Sequence, residues 1–239
     1  VAWSQRLLIC LLGIVCAQAC AQSPVILTGE WPPYTGIREP QGGSVTAIVR
    51  QAFAAEGDEP RVGFFAWSRV RKMVTLNQAY IAKFPDYYSS ARLHDCYFSN
   101  PIGESPLGLA EQSGHVLSWE KVGDLQRYRL GLVSSYVNTP ELDKLVAAGK
   151  IKAVMADDDA DNLRNLQMGR VDAAVIDRNV YAYLLRPGGD LEEVSPQLRL
   201  NPRVLIVHKL YMCFQHTEHG RHMRDRFNRG LKTMQAPVP

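Results

Sequence analysis

Hydrophobic and polar positions along the chain switch repeatedly between a period of two and a period near 3.6. Val25–Thr28 (VILT) is a short apolar run, which predicts a strand. It leads into Gly29-Glu30-Trp31-Pro32-Pro33-Tyr34, where two prolines stop a hydrogen-bonded ladder. Val45, Ile48, Val49, Ala52 and Phe53 then recur at helical spacing, with Ser44 as the expected cap and Gly57 as the stop. Residues 61–66 predict a strand. Residues 67–76 predict a short helix with Val70, Met73 and Val74 inward. Residues 80–84 predict a third strand, followed by a polar loop and a short strand over 96–99. The first block thus reads β-α-β-α-β-β.

The pattern then restarts. Residues 129–134 (RLGLVS) predict a strand, and Thr139-Pro140 opens a helix carrying Leu142, Leu145 and Val146. Residues 152–155 predict a strand. Asp157, Asp158 and Asp159 offer caps for a helix with Ala160, Leu163 and Leu166 inward. Residues 171–176 (VDAAVI) read as a buried strand ending at Asp177, before a helix with Val180, Tyr183 and Leu184. Residues 204–214 read as a strand, and Met223, Phe227 and Leu231 mark a last helix.

Strands alternating with helices predict an α/β fold with mostly parallel sheets. Two such blocks with no flexible linker between them predict two lobes sharing a cleft. Ligands of open α/β sheets sit beyond the carboxyl ends of the strands, so the residues there are the candidates. Glu30, Trp31 and Tyr34 follow the first strand, and Trp67 follows the second. Tyr87, Tyr88, Ser89, Ser90 and Arg92 follow the third. In the second block Ser134, Ser135 and Tyr136 follow one strand and Asp177 ends another. Aromatic faces, hydroxyls, one guanidinium and one carboxylate suit a small polar or zwitterionic molecule: Arg forks a carboxylate and Asp holds an ammonium.

Charge and composition narrow the classes. Over 239 residues, 27 Lys and Arg against 24 Asp and Glu leave a surplus of +3, too small to argue for nucleic acid. Residues 1–21 carry Arg6, an apolar run of about 11 residues and a small-residue end at Ala19-Cys20-Ala21, the pattern of a secretory signal peptide. Lipid attachment at Cys20 is the rival reading. Cys96 and Cys213 remain outside that segment, and an even pair in an exported chain fits one disulfide or two buried thiols. His216, His219 and His222 share a spacing that would suit a metal on a helix, but Thr217 and Gly220 read as a loop, so no metal site is expected. Asp157, Asp158, Asp159 and Asp161 lack the Gly and Glu positions of a calcium loop. Arg221, Arg224, Arg226 and Arg229 read as a solvated helix face.

Five motifs, in their order and spacing, carry a family resemblance: residues 30–34 (EWPPY), 43–53, 66–69 (AWSR), Arg92 with Phe98-Ser99-Asn100-Pro101, and 169–177 (GRVDAAVID). Over about residues 25–234 the chain resembles the family 3 extracellular solute-binding proteins, the periplasmic receptors of polar amino-acid ABC importers. The resemblance implies a two-lobed periplasmic-binding-protein-like type 2 fold. Lobe 1 would span 22–104 and 205–239, lobe 2 would span 105–204, and a hinge of two crossings would join them. It implies Arg92 for the ligand carboxylate, Asp177 for its ammonium, and Trp31 and Trp67 for stacking. Cys96 and Cys213 both fall in lobe 1, so a disulfide there would not block closure. The implied partners are a small solute and an inner-membrane ABC permease, with no cofactor, for a monomeric periplasmic protein.

Two segments depart from the family pattern. The turn after the first strand of lobe 2 reads Ser134-Ser135-Tyr136, without the usual glycine. The segment before Arg92 reads Lys83-Phe84-Pro85-Asp86-Tyr87. They widen the expected ligand to a related organic acid or amine. A sensory receptor on the same fold is the first alternative. A periplasmic dehydratase acting on cyclohexadienyl acids, with Glu30 as general acid, is the second.

Overall fold

Ile26 and Leu27, neighbours in β1 (Val25–Thr28), are both buried yet enter different clusters. Ile26 packs with Val49, Phe53 and Phe227, while Leu27 packs with Val70 and Val74. A strand covered on both faces needs helices on both sides of its sheet, and the chain supplies them. The computed structural model describes residues 23–88 and 90–235. The leader reading of residues 1–21 and the lipid alternative at Cys20 lie outside them.

After β1 come α1 (Ser44–Ala54), β2 (Arg61–Phe64), α2 (Trp67–Leu76), β3 (Ala82–Tyr87) and β4 (Cys96–Phe98). Next is β5 (Gly103–Gln112), then β6 (Arg129–Val133), α3 (Pro140–Ala147), β7 (Lys152–Ala156), α4 (Asp159–Gln167), β8 (Ala173–Asp177) and α5 (Arg178–Leu185). The chain returns along β9 (Leu198–Gln215) and ends in α6 (Glu218–Gln235). The hydrogen-bonded order is β2-β1-β3-β9-β5-β8-β6-β7, with β4 beside β9. β2, β1 and β3 are parallel at one end, and β8, β6 and β7 are parallel at the other. Between them β5 and β9 run antiparallel, paired from Gly103↔Leu210 to Gln112↔Leu198. Each lobe is thus a parallel β-α-β-α-β unit completed by an antiparallel strand, and the chain passes between lobes at β5 and β9.

Several elements follow directly from local chemistry. Thr139 accepts the N–H of Leu142 and caps α3, with Pro140 in its first turn. Asp158 caps α4 through the N–H of Asp161, and Asp177 caps α5 through Asn179 and Val180. Phe53 of α1 meets Phe227 of α6 with ring centroids 5.1 Å apart.

Other expectations need correction. Ser44 is the first helical residue rather than the cap, and its hydroxyl donates to the Pro33 carbonyl. The strand expected over 61–66 stops at Phe64. The strand expected over 80–84 instead begins at Ala82 and continues to Tyr87. Pro85 has no N–H for the ladder, and the β3–β9 register shifts between Lys83 and Asp86. β5 was not expected at all, because Gly103, Pro106 and Gly108 interrupt its pattern. β9 begins six residues before the expected 204. α6 starts at Glu218, so His219 and His222 are helical. Cys96 and Cys213 form a disulfide between neighbouring strands β4 and β9, with Cα atoms 5.4 Å apart.

Candidate functional site

A cleft of about 690 Å³ opens where the carboxyl ends of the parallel strands of the two lobes face each other. Eight of the ten residues expected at a ligand site line it: Glu30, Trp31, Trp67, Tyr87, Arg92, Ser134, Ser135 and Tyr136. Tyr34 and Asp177 do not.

The aromatic wall is set by the loop after β1. Trp31 N–H and carbonyl pair with Thr35, which closes a turn, and the Trp31 ring stacks on Tyr34 with centroids 4.5 Å apart. Trp67, at the start of α2, donates its indole N–H to the Glu30 carbonyl at 3.1 Å. Gly29 makes room for that ring, since a Cβ there would lie 2.4 Å from Trp67 Cε2. Tyr87, at the end of β3, meets Trp31 edge-on and stacks on His208 at 4.2 Å. Burial lowers the pKa of His208, against the Asn138 carbonyl, to which its Nε2 donates, and the charge of Asp143. Glu30 is exposed at the mouth, where it accepts the N–H of Ile37.

The charged wall was not legible as a unit. Arg92 forms an ion pair with Asp86, and Asp86 also pairs with Lys83. Side-chain exposure is 14% for Lys83, 10% for Asp86 and 32% for Arg92. Burial, followed by the guanidinium charges of Arg92 and Arg71, pushes the Lys83 ammonium down to about 7, against the opposing charge of Asp95. Arg71 also lines the cleft, from α2.

From lobe 2 come Ser134, Ser135 and Tyr136. Ser135 has φ 66, the left-handed conformation that a glycine would adopt without strain, so the turn keeps a glycine-like path without a glycine. The Tyr136 hydroxyl donates to Asp159 Oδ2 at 3.3 Å. Burial raises the Asp159 carboxyl to about 7; the neighbouring Tyr136 hydroxyl and Trp31 indole N–H oppose this, and the charges of Asp177 and Asp158 add to it. Asp157 and Asp158 line the cleft as exposed carboxylates.

Asp177 serves a different purpose from the one its position implied. It is 2% exposed, and both oxygens are occupied. Oδ1 accepts the N–H groups of Asn179 and Val180, at 2.7 and 2.9 Å. Oδ2 accepts the Ser105 hydroxyl at 2.5 Å and the Tyr34 hydroxyl at 2.9 Å. Because Ser105 spends its proton on Asp177, the Tyr87 hydroxyl donates to Ser105, at 2.7 Å. Asn179 Nδ2 donates to the Tyr34 oxygen at 2.8 Å. This network ties lobe 1 to the start of α5. Burial raises the Asp177 pKa, and the four donors restrain the rise. Arg71, Lys83, Asp86, Asp157 and Asp158 are charged cleft residues that sequence reasoning missed as site residues, while Ser105, Asn179 and Asp159 stand behind the cleft as hydrogen-bond partners. The i, i+3 charges of Lys83 and Asp86 were the only local signal.

Among the described residues, no group of three or more His, Cys, Asp or Glu side chains is arranged to hold a metal ion. No helix among them is long and apolar enough to cross a membrane.

No protein-family model matches the chain, and no curated protein matches its sequence. Solved structures do. A histidine kinase sensor domain with similarity to periplasmic binding proteins aligns with TM-score 0.73 at 19% identity, over 90% of each chain. Arginine-binding protein from T. maritima in its holo form aligns with TM-score 0.70 at 15% identity, over 89% of this chain and 92% of that one. The GluR0 ligand-binding core from Nostoc punctiforme, in complex with L-glutamate, aligns with TM-score 0.69 at 14% identity, over 89% and 92%. At these identities the likeness establishes the fold, and the chain has the two-lobed periplasmic-binding-protein-like architecture.

Proposed function

We propose that this protein is an exported solute receptor that captures a small polar or zwitterionic molecule, an amino acid or related organic acid or amine, between its lobes. In this reading lobe 1 spans 22–104 and 205–239, lobe 2 spans 105–204, and the crossings at β5 and β9 act as a hinge. The closed, loaded form is what an inner-membrane ABC permease receives. One observation carries the reading: a cleft of about 690 Å³ between two α/β lobes, with aromatic faces opposite hydroxyls and a partly buried charge cluster. Arginine and glutamate in two of the structural neighbours accord with it.

The test is a thermal-shift screen of refolded protein against amino acids, small organic acids and amines. A ligand at 100 times its dissociation constant adds about 2.7 kcal/mol to stability. Arg92→Ala is expected to abolish the shift given by any carboxylate. No shift across the panel, together with no molecule retained by the natively purified protein, overturns the reading.

A sensory receptor is the second reading, favoured by the alignment with a histidine kinase sensor domain. Deletion that abolishes uptake of the ligand supports the importer. Deletion that abolishes a response while uptake persists supports the sensor. A dehydratase would rest on Glu30, whose exposed carboxylate already accepts a backbone N–H.

A further inference from the structure

We propose that the cleft takes an aromatic or otherwise apolar monocarboxylate bearing no ammonium group, and that Lys83 is the residue that sets this preference. The inference rests on the receptor reading above and narrows its ligand.

Three observations lead to it. First, the carboxylate expected to hold an ammonium is closed: Asp177 is 2% exposed and both its oxygens already accept two hydrogen bonds each. A ligand ammonium reaching it would have to displace Tyr34 or Ser105. Second, the partly buried cluster on lobe 1 holds two cations and one anion, Lys83 and Arg92 around Asp86. Unpaired charge in such a place is costly, and one added carboxylate brings the cluster to neutrality. Arg92 offers it a planar fork and Lys83 a point charge. An ammonium brought there would meet repulsion instead, reinforced by Arg71 from α2. Third, the remaining carboxylates on the cleft, Glu30, Asp157 and Asp158, are exposed, where water screens them. Four aromatic side chains, Trp31, Trp67, Tyr87 and Tyr136, line the cleft beside the hydroxyls of Ser134 and Ser135, and such rings suit an apolar body.

The cluster also makes binding pH-dependent. The charged groups acting on Lys83 are Asp86 on its own strand, Arg92 after it, Arg71 on α2, and Asp95. In the empty cleft Lys83 gives up its proton at about 7. A bound carboxylate holds that proton, so binding takes up a proton above that pH, and affinity falls as pH rises through about 7.

The experiment is calorimetric titration with matched pairs: 3-phenylpropanoate against L-phenylalanine, and indole-3-propanoate against L-tryptophan. The deaminated acid is expected to bind about tenfold tighter or better. Its affinity is expected to fall about tenfold between about pH 6 and about pH 8. Lys83→Met keeps Asp86 paired with Arg92, and is expected to lose both the affinity and the pH dependence. Amino acids binding as tightly as their deaminated partners overturn the inference and leave the receptor reading intact. If none of the four binds, the molecule retained by the natively purified protein decides. A carboxylate without an ammonium supports the inference, and a ligand with an ammonium overturns it. No retained molecule removes the receptor reading and the inference together.

Discussion

The hydroxyl of Tyr34 donates to Asp177 Oδ2 at 2.9 Å across 143 residues of sequence, and so binds the loop after β1 to the first turn of α5. The contact joins the two lobes. It is supported by Asn179 on the tyrosine side and by Ser105 on the aspartate side. The adjacent pair of Tyr183 and Glu39 bridges the same two segments. The loop after β1 and helix α5 are therefore held together by side chains of the chain itself.

Tyr34→Phe tests the weight of that contact. The change removes one donor to Asp177 and the acceptor for Asn179 Nδ2 without altering the ring that stacks on Trp31. Leaving buried polar groups short of partners costs about 1–3 kcal/mol. Urea unfolding is expected to show a lower midpoint with an unchanged slope, and an unaltered midpoint would contradict a bonded latch.

Asp159 gives folding stability a pH dependence of the same sign as the one Lys83 gives binding, a fall as pH rises. Its carboxyl rises from 3.8 to about 7 on folding, so the folded state holds a proton that the unfolded state has released. Its stabilising contribution is complete below 3.8 and is lost as pH rises through about 7. Asp159→Asn cannot lose that proton. The variant is expected to gain in melting temperature over the parent as pH is raised from about 4 to about 7. A gap that stays constant over this window would count against the assignment.

The Cys96–Cys213 bond closes a loop with a sequence separation of 117. Chain-entropy arguments put such a constraint at about 4–5 kcal/mol, through the unfolded state. Guanidinium unfolding of the Cys96→Ser, Cys213→Ser protein is expected to show a loss of that order, with the cleft still present. A loss below about 1 kcal/mol would mean that the strands hold this region unaided.

Gly230 of α6 lies against the backbone of α1 at Ala52. A Cβ at this position would lie 1.9 Å from the Ala52 carbonyl oxygen, which is backbone and cannot rotate away. Gly230→Ala should force the helices apart and cost about 1–3 kcal/mol or more, despite the better helix propensity of alanine. Circular dichroism during thermal unfolding measures it, and a stabilised variant would refute the packing described here.

Much of the fold was legible because it is written in local terms. The apolar run 25–28, the helical spacing of Val45, Val49, Ala52 and Phe53, and the caps at Thr139 and Asp158 each act within a few residues. Their elements appear where those signals stand. Trp31, Trp67, Tyr87, Arg92 and Ser134–Tyr136 were legible as cleft residues because an α/β sheet exposes the residues just beyond its strands. β5 was not legible: Gly103, Pro106 and Gly108 break its pattern, and it stands only because β8 and β9 flank it.

What the sequence determined by itself, then, is the alternation of strands and helices and the set of side chains offered to the cleft. Which of these face one another is a tertiary matter. In a regular strand Lys83 and Asp86 would point to opposite faces, since their separation is odd. The register shift at Pro85 brings both to the cleft and makes them an ion pair. Asp177 shows the converse. Its place at the end of β8 reads as a ligand contact, but Tyr34 and Ser105, 143 and 72 residues away, arrive first and occupy its outer oxygen. Periodicity carries information over one or two turns of chain. A buried charge takes whatever partner the closed structure delivers.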